Sequence, residues 1–247
     1  MRPQARFLRA AGYIAAAAIV GEVVRQVLAT RALAAEGLAA FAVDFVATRA
    51  LVGTWYGGPT TKRGARDGAI YGALAIGGAT VLGLVSRQAT LAGTSMGWDT
   101  LPLGAITAAA TAVRIELVCR VLPLALLDGV VPARALSVFA VLAGAVPALA
   151  TTPDRPGAIA LALALGVLTT TLLRTTGAAL AAVVAHTVVR FAAGPLFTST
   201  VEVRWASGSL VPFDRASGVA AYLLTAACIA AALVALRPSR SRGTTSR

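Results

Sequence analysis

The chain has 247 residues, 57 % of them apolar and only 13 % charged, with a formal net charge of +12 and a mean hydropathy of +0.79. Soluble domains carry roughly a quarter charged residues, and even a large buried core needs a charged shell, so this composition excludes an ordinary soluble protein. The bases fall between or beside apolar runs, with none of the aromatic interleaving of a single-strand binder; that pattern argues against nucleic acid and for membrane lipid as the partner.

A bilayer core takes about 20 residues of helix, and eight apolar segments qualify. The first, 8–28, follows Arg2 and Arg6, has Arg9 at its edge, and begins like a signal peptide. Its apolar run continues past Glu22 without a small-residue cleavage site, so it reads as a span. A second span covers 33–52 and closes on Gly57-Gly58-Pro59. Spans three to five cover 68–86, 102–127 and 133–150, and Thr152-Pro153-Asp154-Arg155-Pro156 breaks the chain before 157–173. Thr175-Thr176-Gly177 leads into 177–195, and 217–236 is the last span. Spans five and six are short and Ala-rich, which leaves merged or re-entrant arrangements open. The expected fold is an all-α, polytopic membrane helix bundle of about eight transmembrane helices. It forms one transmembrane domain over 1–236, followed by a basic, disordered cytoplasmic tail at 237–247 that meets anionic headgroups if anything. The longest polar connections, 86–101 and 196–216, are too short to fold alone.

An even number of spans puts both termini on one side. Arg2, Arg6, Arg9, Lys62, Arg63, Arg66, Arg134, Arg174, Arg237, Arg240, Arg242 and Arg247 then share that side, while Arg31, Arg87, Arg155, Arg204 and Arg215 face the other. This bias predicts a multi-pass protein of the cell membrane with both ends cytoplasmic. Cys119 and Cys228 lie far apart in apolar segments and read as unpaired thiols.

Ionisable residues at membrane depth are expensive and by default face the bundle interior. Glu22, Arg25, Asp44 and Arg49, with Glu36 nearer an edge, read as structural partners of the first two helices or as snorkelling side chains. Arg114 also falls in an apolar span. In span four, Glu116 and Arg120 stand at i and i+4, acid first, the favourable order for a helical pair. Such a pair is either a neutralised structural unit or an ionised carboxylate able to act as a general base toward water. His186, the chain's single histidine, has Arg190 one turn later; it is either a hydrogen-bonded packing residue or a functional group. One histidine and dispersed carboxylates supply no familiar zinc ligand set. HExxH, GxSxG and Walker motifs are absent, as are paired aspartates for magnesium; no cofactor or metal is implied.

In this order the residues resemble the CPBP family of intramembrane proteases, the CAAX-processing and bacteriocin-processing endopeptidases. The family's EExxxR motif matches Ile115-Glu116-Leu117-Val118-Cys119-Arg120, and its HxxxN-like motif matches His186-Thr187-Val188-Val189-Arg190. Arg174-Thr175-Thr176-Gly177-Ala178-Ala179-Leu180 looks like the lead-in to that last motif, and Arg66-Asp67-Gly68-Ala69-Ile70-Tyr71-Gly72 is similar to the entry of an earlier family helix. The likeness covers about 66–195. It implies a glutamate-dependent endopeptidase acting on membrane-proximal or lipidated peptides, with Glu116, Arg120, His186 and Arg190 as catalytic residues. Three positions depart from the pattern. The first family glutamate falls on Ile115, the FxxxH segment reads Phe139-Ala140-Val141-Leu142-Ala143 and ends without its histidine, and the asparagine position is Arg190. A non-catalytic relative that binds or scaffolds a membrane partner is therefore the competing expectation. An unrelated transporter is a third, although no pair of Gly/Pro-interrupted spans recurs in the two halves.

Overall fold

The computed structural model describes residues 60–93, 100–151, 155–199, 201–211 and 213–237, with isolated helical positions between 4 and 19. Most of the expected span 8–28 and all of 33–52, with Glu22, Arg25, Glu36, Asp44 and Arg49, lie outside the described residues, as does most of the tail. What is described is almost entirely helical. Helix α1 runs Thr60–Val85 and α2 runs Thr100–Glu116. A π-helical turn at Leu117–Val121 joins α2 to α3, Leu122–Leu127. Then come α4, Ala133–Thr151, α5, Pro156–Thr176, and α6, Ala179–Phe191. A second π-helical turn, Ala192–Leu196, ends in one α-helical turn, and α7 covers Gly218–Ala235.

Four helical stretches are long and apolar enough to cross a membrane: Lys62–Val85, Pro156–Thr176, Ala179–Leu196 and Gly218–Ala235. The radial distribution of side chains points the same way. The main buried cluster joins α1, α5, α6 and α7 and is dominated by alanine, with Leu161, Leu165, Leu168, Leu172 and Leu224 between. Large aliphatic side chains face outward instead: Leu74, Val81, Leu82 and Val85 on α1, Val138, Leu142 and Val146 on α4, Ile229 and Leu233 on α7. Small residues inside and large ones outside suit a solvent as apolar as leucine, in which close backbone packing rather than water exclusion holds helices together. In water the same side chains would be a large exposed apolar surface, a liability for a soluble protein.

Close packing is most evident between α1 and α6. Gly64, Gly68 and Gly72, one turn apart, lie against Ala178, Ala181 and Ala185, so the two helices run parallel. A Cβ at Gly68 would stand 2.3 Å from the carbonyl oxygen of Ala181, closer than any atom can sit. Helix α2 runs antiparallel to α6: Gly104 abuts Pro195, while Leu117 and Val121 pack with Ala179 and Ala182. Gly157, early in α5, lies against Ala216, just before α7, and Ala221 in its first turn.

The helix ends gather into two groups. At one end, beside the start of α1, the Arg174 guanidinium donates to the Ala133 carbonyl over 2.9 Å. At the other, the Arg155 guanidinium donates to the Arg215 carbonyl over 3.3 Å. Here the sequence reading needs one addition. The connections 86–101 and 196–216 do not fold alone; they pair with each other. Strand β1, Ala89–Gly93, joins β2, Val201–Trp205, as an antiparallel ribbon in which Ala89 faces Trp205 and Gly93 faces Val201. The Trp205 ring rests on Gly83, which anchors the ribbon to the end of α1.

Candidate functional site

Two prolines shape the helices that carry the site. Pro123 has no N–H and its ring crowds the carbonyl four residues back. The helix responds by widening: the Leu122 N–H bonds to the Leu117 carbonyl across a π turn. Pro195 sits inside the second π turn, after α6. Single π turns within α-helices often mark functional positions. In this chain the first one carries Arg120, immediately after Glu116.

Glu116, Arg120 and His186 meet in the bundle interior, exposed by 0 %, 1 % and 3 % respectively. One carboxylate oxygen, Glu116 Oε1, takes both neighbours. The Arg120 Nη1 donates to it within the helix, and His186 Nδ1 lies 2.6 Å away from across the α2–α6 contact. An arginine guanidinium is always charged, and the carboxylate it pairs with is an acceptor only. The shared contact therefore places a proton on Nδ1, and a neutral His186 carries its lone pair on Nε2. Glu116 Oε2, Arg120 Nε and His186 Nε2 have no protein partner among the described residues.

His186 and Arg120 also line a small cavity, about 30 Å³ as measured by the space open to the centre of a water, which exceeds what one water needs. Arg190 adds a third polar side chain to the lining, and Ile115, Gly144, Ala148, Ala158, Ala162, Leu165 and Phe213 make up the rest. Arg190 is half-buried, and its guanidinium stands 5.0 Å from the centre of the Phe213 ring, in the range of a cation–π contact. Thus all four sequence-derived site residues fall in one region, but Glu116 is turned away from the cavity wall. Its neighbour Ile115 lines the wall instead. Phe139 is 45 % exposed on the outer face of α4 and takes no part; Arg114 is half-buried and does not line the cavity.

Some contributors carried no signal in the sequence. Phe213 reaches the cavity from a 3₁₀ turn, Phe213–Arg215, between the ribbon and α7, in a segment read as connection. Gly144, Ala148, Ala158 and Ala162 read as generic membrane alanines and glycines. Among the described residues no three histidine, cysteine, aspartate or glutamate side chains gather as a metal ligand set. No family model matches this sequence, and neither a curated protein nor a solved structure matches it.

Proposed function

We propose that this chain is an eight-span protein of the cell membrane with both termini cytoplasmic, and a CPBP-like intramembrane endopeptidase with a rearranged site. In this reading His186, not Glu116, meets the water. The supporting observation is the shared oxygen: Glu116 Oε1 orients His186 through Nδ1, which leaves Nε2 as an unpartnered base beside a water-sized cavity. A base held by a carboxylate is the logic of nucleophile-activating triads, applied to water. His186 Nε2 takes a proton from water, the water oxygen bonds to the scissile carbonyl carbon, and the carbonyl electrons move onto oxygen. Arg190, on the same wall, faces the developing oxyanion. The C–N bond then breaks as the imidazolium returns its proton to the departing amine. The substrate class is a peptide segment at or within the bilayer.

A second reading has its own support. Ile115 removes the acid that the family resemblance expects on the cavity wall, and the cavity has room for water but not for a peptide bond with its flanking residues. A non-catalytic relative that binds a membrane partner explains both.

Purified full-length protein in proteoliposomes, offered a panel of membrane-proximal and lipidated peptides, separates the two. The peptidase reading expects turnover that falls by about 10²–10⁴-fold in His186→Ala, the usual range for a lost general base. Absence of turnover across the panel, with folded protein, rejects the peptidase and leaves the binding protein.

A further inference from the structure

The Arg120 guanidinium is the largest fully buried side chain in the described bundle, and it has to be accommodated by something. It is seated against two glycines from two other helices. A Cβ at Gly144 of α4 would stand 2.1 Å from Nη2 and 2.8 Å from Cζ; one at Gly166 of α5 would stand 3.0 Å from Nη2. At Gly144 no side chain, not even a methyl group, fits beside the guanidinium where it lies. Because Arg120 and His186 share one carboxylate oxygen, displacing the first changes the charge that the second feels.

We infer that Gly144, together with Gly166, is a positioning residue: it holds the Arg120 guanidinium on Glu116 Oε1 and through that oxygen sets the state of His186. The inference rests on the geometry of the buried triad and holds whether or not the site hydrolyses peptides. It also gives α4 a part in the site. Phe139 faces outward and position 143 lacks the family's histidine, so the contribution of α4 is space rather than a functional group.

A single histidine makes the test direct, since a sample labelled with ¹⁵N-histidine reports His186 alone. The full chain in bilayers is expected to show a neutral ring protonated on Nδ1. Gly144→Ala is expected to move both ring-nitrogen signals and their pH profile, and Gly166→Ala to do so less, in line with its longer approach. In an Arg120→Lys background the same glycine substitutions are expected to move the signals less, because the ammonium lacks Nη2, the atom that a Cβ at either position would approach most closely. Gly64→Ala, which crowds Ala178 with a Cβ separation of 2.6 Å, is the control for packing alone and is expected to leave the signals in place. Signals unmoved in both Gly144→Ala and Gly166→Ala overturn the inference, as do equal shifts in the Arg120→Lys background. Should Gly144→Ala fail to fold, Gly166→Ala decides alone.

Discussion

At the residue scale, the Glu116–Arg120–His186 cluster is three polar groups held in a place where each is costly unless partnered. A buried ion pair adds little net stability over an apolar pair of the same shape, but breaking it strands a charge. Arg120→Met is therefore expected to destabilise the protein by about 3–5 kcal/mol, and Glu116→Leu/Arg120→Met to restore most of that. Unfolding in mixed micelles, followed by circular dichroism, checks both. If the double variant is no more stable than the single one, the triad does not act as a charge unit. The sequence made this cluster legible because its members are charged in apolar surroundings and two of them stand four apart on one helix. It could not reveal that Glu116 would spend one oxygen on both partners. Neither could it show that Ile115 rather than Glu116 would face the cavity, because adjacent helical residues point about 100° apart and the facing side is set by packing against α6. Phe213 was illegible for a simpler reason: its contact with Arg190 joins an irregular turn to a helix, and no local pattern encodes that.

At the element scale, α1 and α6 show how much of the bundle depends on absent side chains. The approach at Gly68 is to backbone, which cannot rotate away. Gly68→Ala is expected to cost about 1–3 kcal/mol, the usual range for overpacking. Gly77 lies on the same helix with nothing within 4 Å of a Cβ, so Gly77→Ala is expected to be neutral or to stabilise by up to about 1 kcal/mol through helix propensity. Comparing the two by thermal unfolding separates the packing effect from the propensity effect, and similar losses at both sites would contradict the packing account. Helix positions were readable because runs of about twenty apolar residues leave few alternatives. Even so, α1 begins at Thr60, well before the expected 68, because Lys62, Arg63 and Arg66 are good helix formers that extend it beyond the apolar segment. The segment 102–127 is helical over its expected length but widens into a π turn, and it is not among the four stretches long and apolar enough to cross a membrane. Pro123 is the sequence signal for that turn, since an interior proline has to be relieved somewhere.

At the scale of the whole molecule, the bundle sorts its surface bases by end. Lys62, Arg63 and Arg66 stand at the start of α1, near the α5–α6 connection; Arg134 and Arg174 share that end. Arg87, Arg155, Arg204 and Arg215 belong to the ribbon end. Among the described residues, these bases therefore lie in two groups, one at each end of the bundle. Single cysteines at Arg66 and Arg174, in a background with Cys119 and Cys228 replaced by alanine, are expected to react with an impermeant maleimide only from the cytoplasmic side. One at Arg204 is expected to react only from outside. Labelling of Arg66 and Arg204 from the same face would overturn the proposed topology. The ribbon was beyond sequence reading, because β1 is a five-residue stretch of mostly small residues whose partner lies more than a hundred residues away.

That separation has a consequence for biogenesis. Strand β1 follows α1 out of the ribosome, yet β2, the strand it pairs with, arrives after α2 through α6 have been made. Until then its backbone N–H and C=O groups must be satisfied by water or by an attendant chaperone. Once closed, the ribbon ties the segment that follows α1 to the segment that follows α6. The ribbon is thus a late clasp rather than an early nucleus, and a cross-link between its two strands would report that the chain has been made through β2, with α7 still to follow.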